Sequence, residues 1–425
     1  MKKLFVLFLV FVMLIPALSA CSADQLDTSD DMSYEEYVGA HQTETVVGEY
    51  ASASEEEEYP IYQDDCAEIA TIIPAFDSYP GGDIALEYLF FINDNLYERT
   101  PFSYRERETA DWLVETLLDM GYTEADIKLQ EFSREYMSRL LDGCTPGLGY
   151  YMLLSNLYHI SGNDEVRDYS QNVILTVPGE SDRVIVVGAH YDSYAFPGAA
   201  DNASGMALLL ESAMRMRYLD NYHTIVYVFF GAEEVGLLGA NYFIDTLSRD
   251  ERENILFMVN VDLLFEGPHL LYVAGVKIPG IQQGGLIGEN HITQAWDNIA
   301  TELNALYDDI ELISYPQGLG RFFSDHWPFY RIEIPVVMFS GMYQQNDGTF
   351  GDRPFIFYWA YREDGQIYVR RTDIEHEESF ALYSGLRHSR NDCIHIINYN
   401  WPGKVERAMW GYAIFLEAIL LQQYY

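Results

Sequence analysis

The sequence predicts an α/β fold in which helices cover both faces of a mostly parallel central sheet. The first observation is a series of short, continuously apolar runs, which are typical of strands buried on both faces. The second is that segments with apolar residues at helical spacing separate several of these runs, and such alternation favours a parallel sheet. The chain has 425 residues, of which 49% are hydrophobic, so it is large enough to bury such a core.

The predicted elements follow one another in a consistent order. Residues 104–120 place apolar side chains on one face at helical spacing and stop at Gly121, which indicates an amphipathic helix. The candidate core strands are residues 173–177, 184–189, 225–230, 255–261 and 335–339. Helical patterns occupy residues 204–216 and residues 405–421. We treat residues 59–425 as one folded domain.

Acidic and imidazole side chains stand where three of these strands end. The residues are His190, Asp192, Asp201, Glu233, Glu234 and Asp262. Ligands of open α/β sheets bind beyond the carboxyl ends of the strands. Taken singly, each residue has a structural explanation, since an Asp before a helix is commonly a cap. Together, the carboxylates would repel one another unless a cation lay among them, and a mixture of carboxylate and imidazole ligands suits zinc.

The motifs around these residues resemble a known enzyme family. The series H-Y-D-S, A-D-N-A-S-G, G-A-E-E-x-G-L-L-G and N-V-D, followed by H-S-R-N-D from His388, resembles the zinc-dependent aminopeptidases with two co-catalytic metals. The broader family also contains glutamate carboxypeptidases and glutaminyl cyclases. The resemblance covers about residues 104–421 and implies a zinc-exopeptidase, phosphorylase/hydrolase-like architecture.

The resemblance implies five metal ligands and two zinc ions per chain. His190 and Asp262 would bind one ion, Glu234 and His388 would bind the other, and Asp201 would bridge the two. A carboxylate can share its two oxygens in this way, and neutral imidazoles complete open coordination spheres.

The same resemblance gives roles to three further acidic residues. Glu233 is the expected general base, since neighbouring side chains on an extended backbone point in opposite directions, so that one of the pair can bind metal while the other faces water. Asp192 would orient the His190 imidazole, and Asp392 could do the same for His388.

One more motif and several departures from the family pattern bear on the site. His326 lies in S-D-H-W-P-F, a segment near the active site in relatives. We expect it behind the metal ligands, on the substrate side of the site or in structural packing, not as a ligand. Ala200 replaces the first of two consecutive Asp residues, and Ser389 and Cys393 stand where the family usually has Thr. The presumed ligand set is unaffected.

The N-terminus predicts a lipoprotein signal peptide over residues 1–20. Lys2 and Lys3 precede an apolar run that ends in L-S-A-C at Cys21. Cleavage before Cys21 and lipid attachment to its thiol would anchor the mature chain to the bacterial cell membrane, facing outward. An ordinary cleaved signal peptide is the alternative.

An excess of acidic residues distinguishes the segment after Cys21 and restricts the classes of molecule that the chain can bind. Residues 21–58 include twelve Asp or Glu and no Lys or Arg, which predicts a disordered tether. The whole chain has 66 acidic and 25 basic residues, which argues against nucleic acid as a partner because phosphate contacts need cations. Cys66, Cys144 and Cys393 allow one disulfide, whose pairing stays open.

Several functions stay open within the family. An aminopeptidase is the leading interpretation, because an acidic site favours the ammonium group of a peptide substrate. A carboxypeptidase would need a cation for the terminal carboxylate, for which Arg321, Arg331 and Arg353 are candidates. A glutaminyl cyclase would use one zinc, and a catalytically dead binding protein would use none. Residues 340–387 could form a lid. The sequence predicts neither the side-chain preference nor the oligomeric state.

Overall fold

The structure, a computed structural model, describes residues 81–136, 167–194, 196–267, 269–277, 287–288, 290–315, 324–344, 350–351, 357–363, 366–372, 386–388, 391–423 and 425. They belong to one structural unit, Cys66–Tyr425. The expected signal peptide, Cys21 and the acidic tether lie outside the described residues, as do Cys66 and Cys144. The domain boundary at residue 59 therefore stays a prediction.

A large sheet forms the centre of the fold, and ten of its strands lie in the described residues. They are β1 (Ile127–Ser133), β2 (Tyr169–Val177), β3 (Ser181–His190), β4 (His223–Phe230), β5 (Ile255–Val261), β6 (His269–Lys277), β7 (Ile287–Gly288), β8 (Leu312–Ser314), β9 (Val336–Gln344) and β10 (Phe350–Gly351). A separate antiparallel pair consists of β11 (Phe357–Glu363) and β12 (Gln366–Thr372).

Helices accompany this sheet along the described part of the chain. They are α1 (Asp83–Asn95), α2 (Tyr104–Asp119), α3 (Ser204–Met216), α4 (Leu238–Thr246), α5 (Arg249–Asn254), α6 (His291–Leu306), α7 (His326–Arg331), α8 (Ile394–Asn400) and α9 (Lys404–Leu420). The ends of α2 follow from local chemistry. The Ser103 side chain accepts a hydrogen bond from the Glu106 N–H at the start, and Gly121 adopts φ 90° just beyond the end.

Parallel strands occupy the middle of the sheet. The strand order is β1-β2-β4-β3-β5-β9-β6-β7, and the neighbours from β4 to β9 all pair in parallel. His190 at the end of β3 is paired with Phe230 at the end of β4, so the carboxyl ends of these strands lie at one edge. The predicted α/β class with helices around a largely parallel sheet is confirmed.

The outer strands reverse direction. The run at residues 173–177 belongs to β2, which pairs antiparallel with β4. Only residues 178–180 join β2 to β3, and so short a connection cannot cross over to a parallel neighbour. The connection passes over the start of β4, where a Cβ added to Gly179 would lie 2.4 Å from the His223 carbonyl carbon. Glycine is therefore required there.

Both faces of the sheet are buried. Val186 and Val187, adjacent on β3, belong to different apolar clusters, because successive side chains of a strand point to opposite faces. Helix α3 packs within the larger cluster, and Arg215 is its one residue that is not fully buried. This explains why the central strands are continuously apolar instead of alternating.

No helix in the described residues is both long enough and apolar enough to span a bilayer.

Candidate metal centre

The chemistry-bearing residues lie where the parallel strands end. His190 is the last residue of β3, and Asp262 directly follows β5. Glu233 and Glu234 lie in a turn after β4, and Asp201 lies in the irregular turn Ala199–Ala203 before α3. Because β4, β3 and β5 are neighbours in the sheet, residues from distant parts of the sequence meet at one edge.

The first group of potential ligands is His190, Asp201 and Asp262, all of which are buried. The His190 Nε2 atom lies 3.1 Å from Asp201 Oδ1 and 3.4 Å from Asp262 Oδ1. This is the set predicted for one zinc ion.

The second group is Asp201, Glu234 and His388. The His388 Nε2 atom lies 3.2 Å from Asp201 Oδ2 and 3.0 Å from Glu234 Oε2. Asp201 therefore directs one carboxylate oxygen to each group, which is the arrangement predicted for a bridging ligand.

The donor atoms of these groups fit zinc. Three buried atoms, His190 Nε2, Glu234 Oε1 and Asp262 Oδ1, make no hydrogen bond among the described residues. A buried polar atom without a partner is costly, and a cation among these atoms would remove that cost. Imidazole nitrogen and carboxylate oxygen are both ordinary zinc ligands.

The electrostatics point in the same direction. Burial alone would lower the pKa of His388, but Glu234 and Asp201 outweigh it and raise the pKa to about 10. The pKa of His190 shifts in the same direction. Burial lowers it, but the charges of Glu233 and Asp262 outweigh burial and raise the pKa well above its usual value. The carboxylates thus favour positive charge at both imidazoles, and a metal ion can supply that charge in place of protons.

Glu233 lies in a turn and not on an extended strand, which corrects the geometric basis of its assignment. Strand β4 ends at Phe230, and Ala232 has a left-handed φ of 53°. Burial raises the pKa of Glu233 well above its ordinary value, the charge of His190 lowers it, and Glu234 raises it further. Its expected role as general base stays a prediction.

The Asp192 carboxylate makes two contacts besides the predicted one with His190. Its two oxygens accept hydrogen bonds from the N–H groups of Glu233 at 3.0 Å and Glu234 at 3.1 Å. The His190 Nδ1 atom lies 3.1 Å from the Asp192 main-chain oxygen and 3.7 Å from its carboxylate. The main-chain oxygen of Asp192 is therefore nearer to the imidazole than its carboxylate is, and the carboxylate also holds the turn with the two glutamates. The expected role of Asp192 in orienting His190 stays a prediction.

The Asp392 carboxylate shows the same pattern. It accepts hydrogen bonds from Ala200 N at 2.5 Å and Asp201 N at 3.0 Å. The expectation that it could orient His388 stays a prediction. Burial and the neighbouring Asp201 raise the pKa of Asp392 to about 7. These hydrogen bonds hold the turn that contains Asp201, the predicted bridging ligand.

Other sequence expectations meet the structure as follows. His326 is fully buried at the start of α7 and lies in neither ligand group, with Nδ1 3.5 Å from Asn260 Nδ2. Arg331 donates to Asn241 Oδ1 at 2.7 Å. Cys393 is a buried free thiol. Ser389, Arg321 and Arg353 lie outside the described residues, as does much of the expected lid at residues 340–387.

Arg99 is a residue near the site that the sequence analysis missed. It is fully buried and donates to the carbonyl oxygens of Tyr191, Pro197 and Gly198 at 2.7, 2.8 and 3.2 Å, and to Leu96 O at 2.8 Å. It thereby holds the loop that connects His190 to the turn with Asp201. A single arginine ahead of a helix carries no motif, so no sequence signal indicates this contact.

Tyr194 is a second missed residue. Its ring stacks on the His388 imidazole, with centroids 3.9 Å apart and an interplanar angle of 22°. His388 itself has a left-handed φ of 56°, a conformation that surrounding contacts must hold. Tyr194 directly follows the H-Y-D-S motif, but nothing in its spacing distinguishes it from a surface aromatic.

The model of Peptidase family M28 matches residues 172–413. Aminopeptidase YwaD of Bacillus subtilis is 32% identical over 160 residues, which cover 37% of this chain and 31% of that protein. A probable leucine aminopeptidase of Trichophyton verrucosum is 34% identical over 181 residues, which cover 39% of this chain and 45% of that protein. The matches thus span less than half of each of these two relatives.

Among solved structures, the fold is similar to that of a zinc aminopeptidase from Bacillus subtilis. The TM-score is 0.53 at 16% sequence identity, with 81% of this chain and 96% of that chain covered.

A third sequence relative is a probable lipoprotein aminopeptidase, LpqL, of Mycobacterium tuberculosis. It is 38% identical over 98 residues, which cover 22% of this chain and 20% of that protein.

Replacement of Arg99 by Lys should destabilise the protein. A lysine cannot reach all four carbonyl oxygens that the planar guanidinium contacts, so buried acceptors lose their donors, at a cost of about 1–3 kcal/mol. Urea unfolding of Arg99→Lys measures the change. The control is Arg134→Lys, at an exposed ion pair with Asp168, which should shift stability by less than about 0.5 kcal/mol. Equal effects in the two variants would contradict the role of Arg99.

Proposed function

Since the chain belongs to peptidase family M28, we propose that it is an exopeptidase with two co-catalytic zinc ions, and specifically an aminopeptidase. The observation that carries the proposal is the Asp201 carboxylate, which directs one oxygen to each of two ligand groups. The aminopeptidase relatives match the chain over only part of their length, so they support the proposed activity without establishing it.

The proposed zinc ligands are the two groups that share Asp201. His190 and Asp262 complete one group, and Glu234 and His388 complete the other. When bound, zinc supplies positive charge that polarises a scissile carbonyl and makes water more acidic. The protein's own residues supply the remaining chemistry.

Glu233 is the proposed general base. It directly precedes the ligand Glu234, and its N–H is held by the Asp192 carboxylate. Its carboxylate would accept a proton from the attacking water and later donate it to the leaving amine. The partly buried position of Glu233 limits competition from bulk water for that proton.

The aminopeptidase relatives support action at the amino end of a peptide. The charge of the site does not decide between the two ends, because two zinc ions would balance the four carboxylates of Glu233, Glu234, Asp201 and Asp262. A carboxypeptidase would need a free cation instead. Arg331, one of the three candidates for this role, donates to Asn241 on α4.

The first experiment is hydrolysis of aminoacyl fluorogenic substrates by the purified mature chain, with and without a chelator. We expect hydrolysis that the chelator abolishes, and loss of turnover in Glu233→Gln while the zinc content stays unchanged, because the amide cannot accept the proton. N-blocked peptides and N-terminal glutaminyl peptides serve as controls. Hydrolysis of blocked peptides alone would contradict aminopeptidase action, and activity in Glu233→Gln would contradict its role as base.

Metal analysis tests the proposed number of zinc ions. The wild-type chain should hold two, and His388→Ala should hold about one, because Glu234 and Asp201 alone make a poor site. His395→Ala is the matched control, since His395 also lies beside a carboxylate, Asp94 at 3.0 Å, but belongs to neither ligand group. One zinc ion in the wild type would favour a glutaminyl cyclase, and none would favour a binding protein.

We further propose that the mature chain is a lipoprotein anchored through Cys21 outside the cytoplasm. The L-S-A-C sequence and the similarity to a probable lipoprotein aminopeptidase support this. In a bacterial host, the wild type should fractionate with membranes, and Cys21→Ser should leave the membrane fraction because it lacks the thiol that carries the lipid. Identical fractionation of the two forms would exclude lipid anchoring at Cys21.

A further inference from the structure

The turn that contains Glu233 and Glu234 is held by an unusual set of hydrogen bonds. Four consecutive main-chain N–H groups, from Gly231 to Glu234, each donate to a side-chain oxygen. The acceptors are Asn172 Oδ1 at 3.1 Å, Glu106 Oε1 at 3.0 Å and the two Asp192 oxygens. After β4 ends, neither a strand ladder nor a helix supplies acceptors for these groups, so side chains must do so.

Glu106 is the acceptor that the proposed chemistry does not yet include. It lies in the first turn of α2 and is fully buried. Besides the Ala232 N–H, its Oε1 accepts from Ser170 Oγ at 2.7 Å, and its Oε2 accepts from Phe102 N at 2.7 Å. Three donors from three parts of the chain thus fix the carboxylate.

The residue of the turn that Glu106 holds has a strained backbone. Ala232 adopts φ 53°, and a left-handed conformation costs a non-glycine residue roughly 1–2 kcal/mol. Such a conformation persists only where surrounding contacts determine it. The Ala232 N–H donates to the buried carboxylate, so Glu106 holds this conformation directly.

The turn also has little room to shift. A Cβ added to Gly231 would lie 2.5 Å from the Gln171 main-chain oxygen and 2.6 Å from Ser170 Oγ. Ser170 donates to the same Glu106 oxygen that accepts from Ala232. Strand β2, helix α2 and the turn after β4 therefore meet at one carboxylate.

We infer that Glu106 is a positioning residue that sets the place of the Glu233 carboxylate through the N–H of Ala232. The inference rests on the proposed function, because it assumes that Glu233 is the base. Asp192 fixes the N–H groups of Glu233 and Glu234, and Glu106 fixes the residue before them. Loss of Glu106 would release the strained residue and displace the base from its productive geometry.

A structural role in α2 alone is the competing explanation, and the chain offers a matched control for it. Glu211 on α3 is equally buried, and its two oxygens accept from the N–H groups of Gly82 at 2.6 Å and Ala85 at 2.8 Å at the start of α1. It has the same chemistry at a helix N-terminus, but its hydrogen bonds go to α1 and not to the turn after β4.

The experiment compares Glu106→Met with Glu211→Met in the full mature, zinc-loaded chain, because methionine is close to glutamate in size but is only a weak hydrogen-bond acceptor. Both variants should lower the melting temperature, since each leaves two buried N–H groups without an acceptor. Only Glu106→Met should lower kcat, by about 10- to 100-fold, with KM and zinc content little changed, because displacement of a catalytic group by about 1 Å has that effect. If Glu106→Met does not fold, Glu106→Asp, which is too short to reach both Ala232 and Phe102, should show the same selective loss of kcat.

Amide hydrogen exchange over residues 231–237 gives a readout independent of turnover. Exchange should be faster in the Glu106 variant and unchanged in the Glu211 variant. Equal kcat in the two variants together with unchanged exchange in the turn would overturn the inference. A wild-type chain without peptidase activity would instead overturn the proposed function, and the exchange measurement would still decide whether Glu106 holds the turn.

Discussion

The structure of the site depends on one carboxylate, that of Asp201, placed between two imidazoles at the end of a parallel sheet. Its oxygens lie 3.1 Å from His190 Nε2 and 3.2 Å from His388 Nε2. His190 ends β3 in the middle of the sheet, whereas His388 lies in the segment before α8 and α9. A shift of Asp201 would disturb both ligand groups at once, so the surrounding contacts must fix its backbone.

Main-chain groups hold the buried charged side chains that surround the two candidate ligand groups. Asp192, Asp392 and Glu106 all lie out of contact with solvent, and each accepts hydrogen bonds from N–H groups of turns that carry or adjoin ligands. The fully buried Arg99 donates to carbonyl oxygens. Directed hydrogen bonds of this kind fix backbone positions, whereas a simple ion pair would neutralise charge without specifying geometry.

Much of the fold and of the ligand set could be predicted because both depend on short-range patterns. The run at residues 255–261 is β5, and the helix at residues 204–216 is α3, with the predicted bounds. Continuous apolarity marks strands that are buried on both faces, and two of the predicted ligands, His190 and Asp262, stand where such strands end. The antiparallel direction of β2 relative to β4 was not predictable, because the residue composition of a strand does not indicate which strand it pairs with.

The motifs of the sequence by themselves indicated which residues meet at the proposed metal centre, since each predicted ligand lies within a short local motif that resembles the family pattern. Only the tertiary structure decided what the supporting carboxylates hold. Asp392 reaches Asp201 across 191 residues, and Glu106 reaches Ala232 across 126. Such pairings depend on how α2, β2 and the strand-end turns pack together. They cannot be read from the sequence, because a main-chain N–H is present in every residue except proline, so the residue type of the donor does not indicate its acceptor.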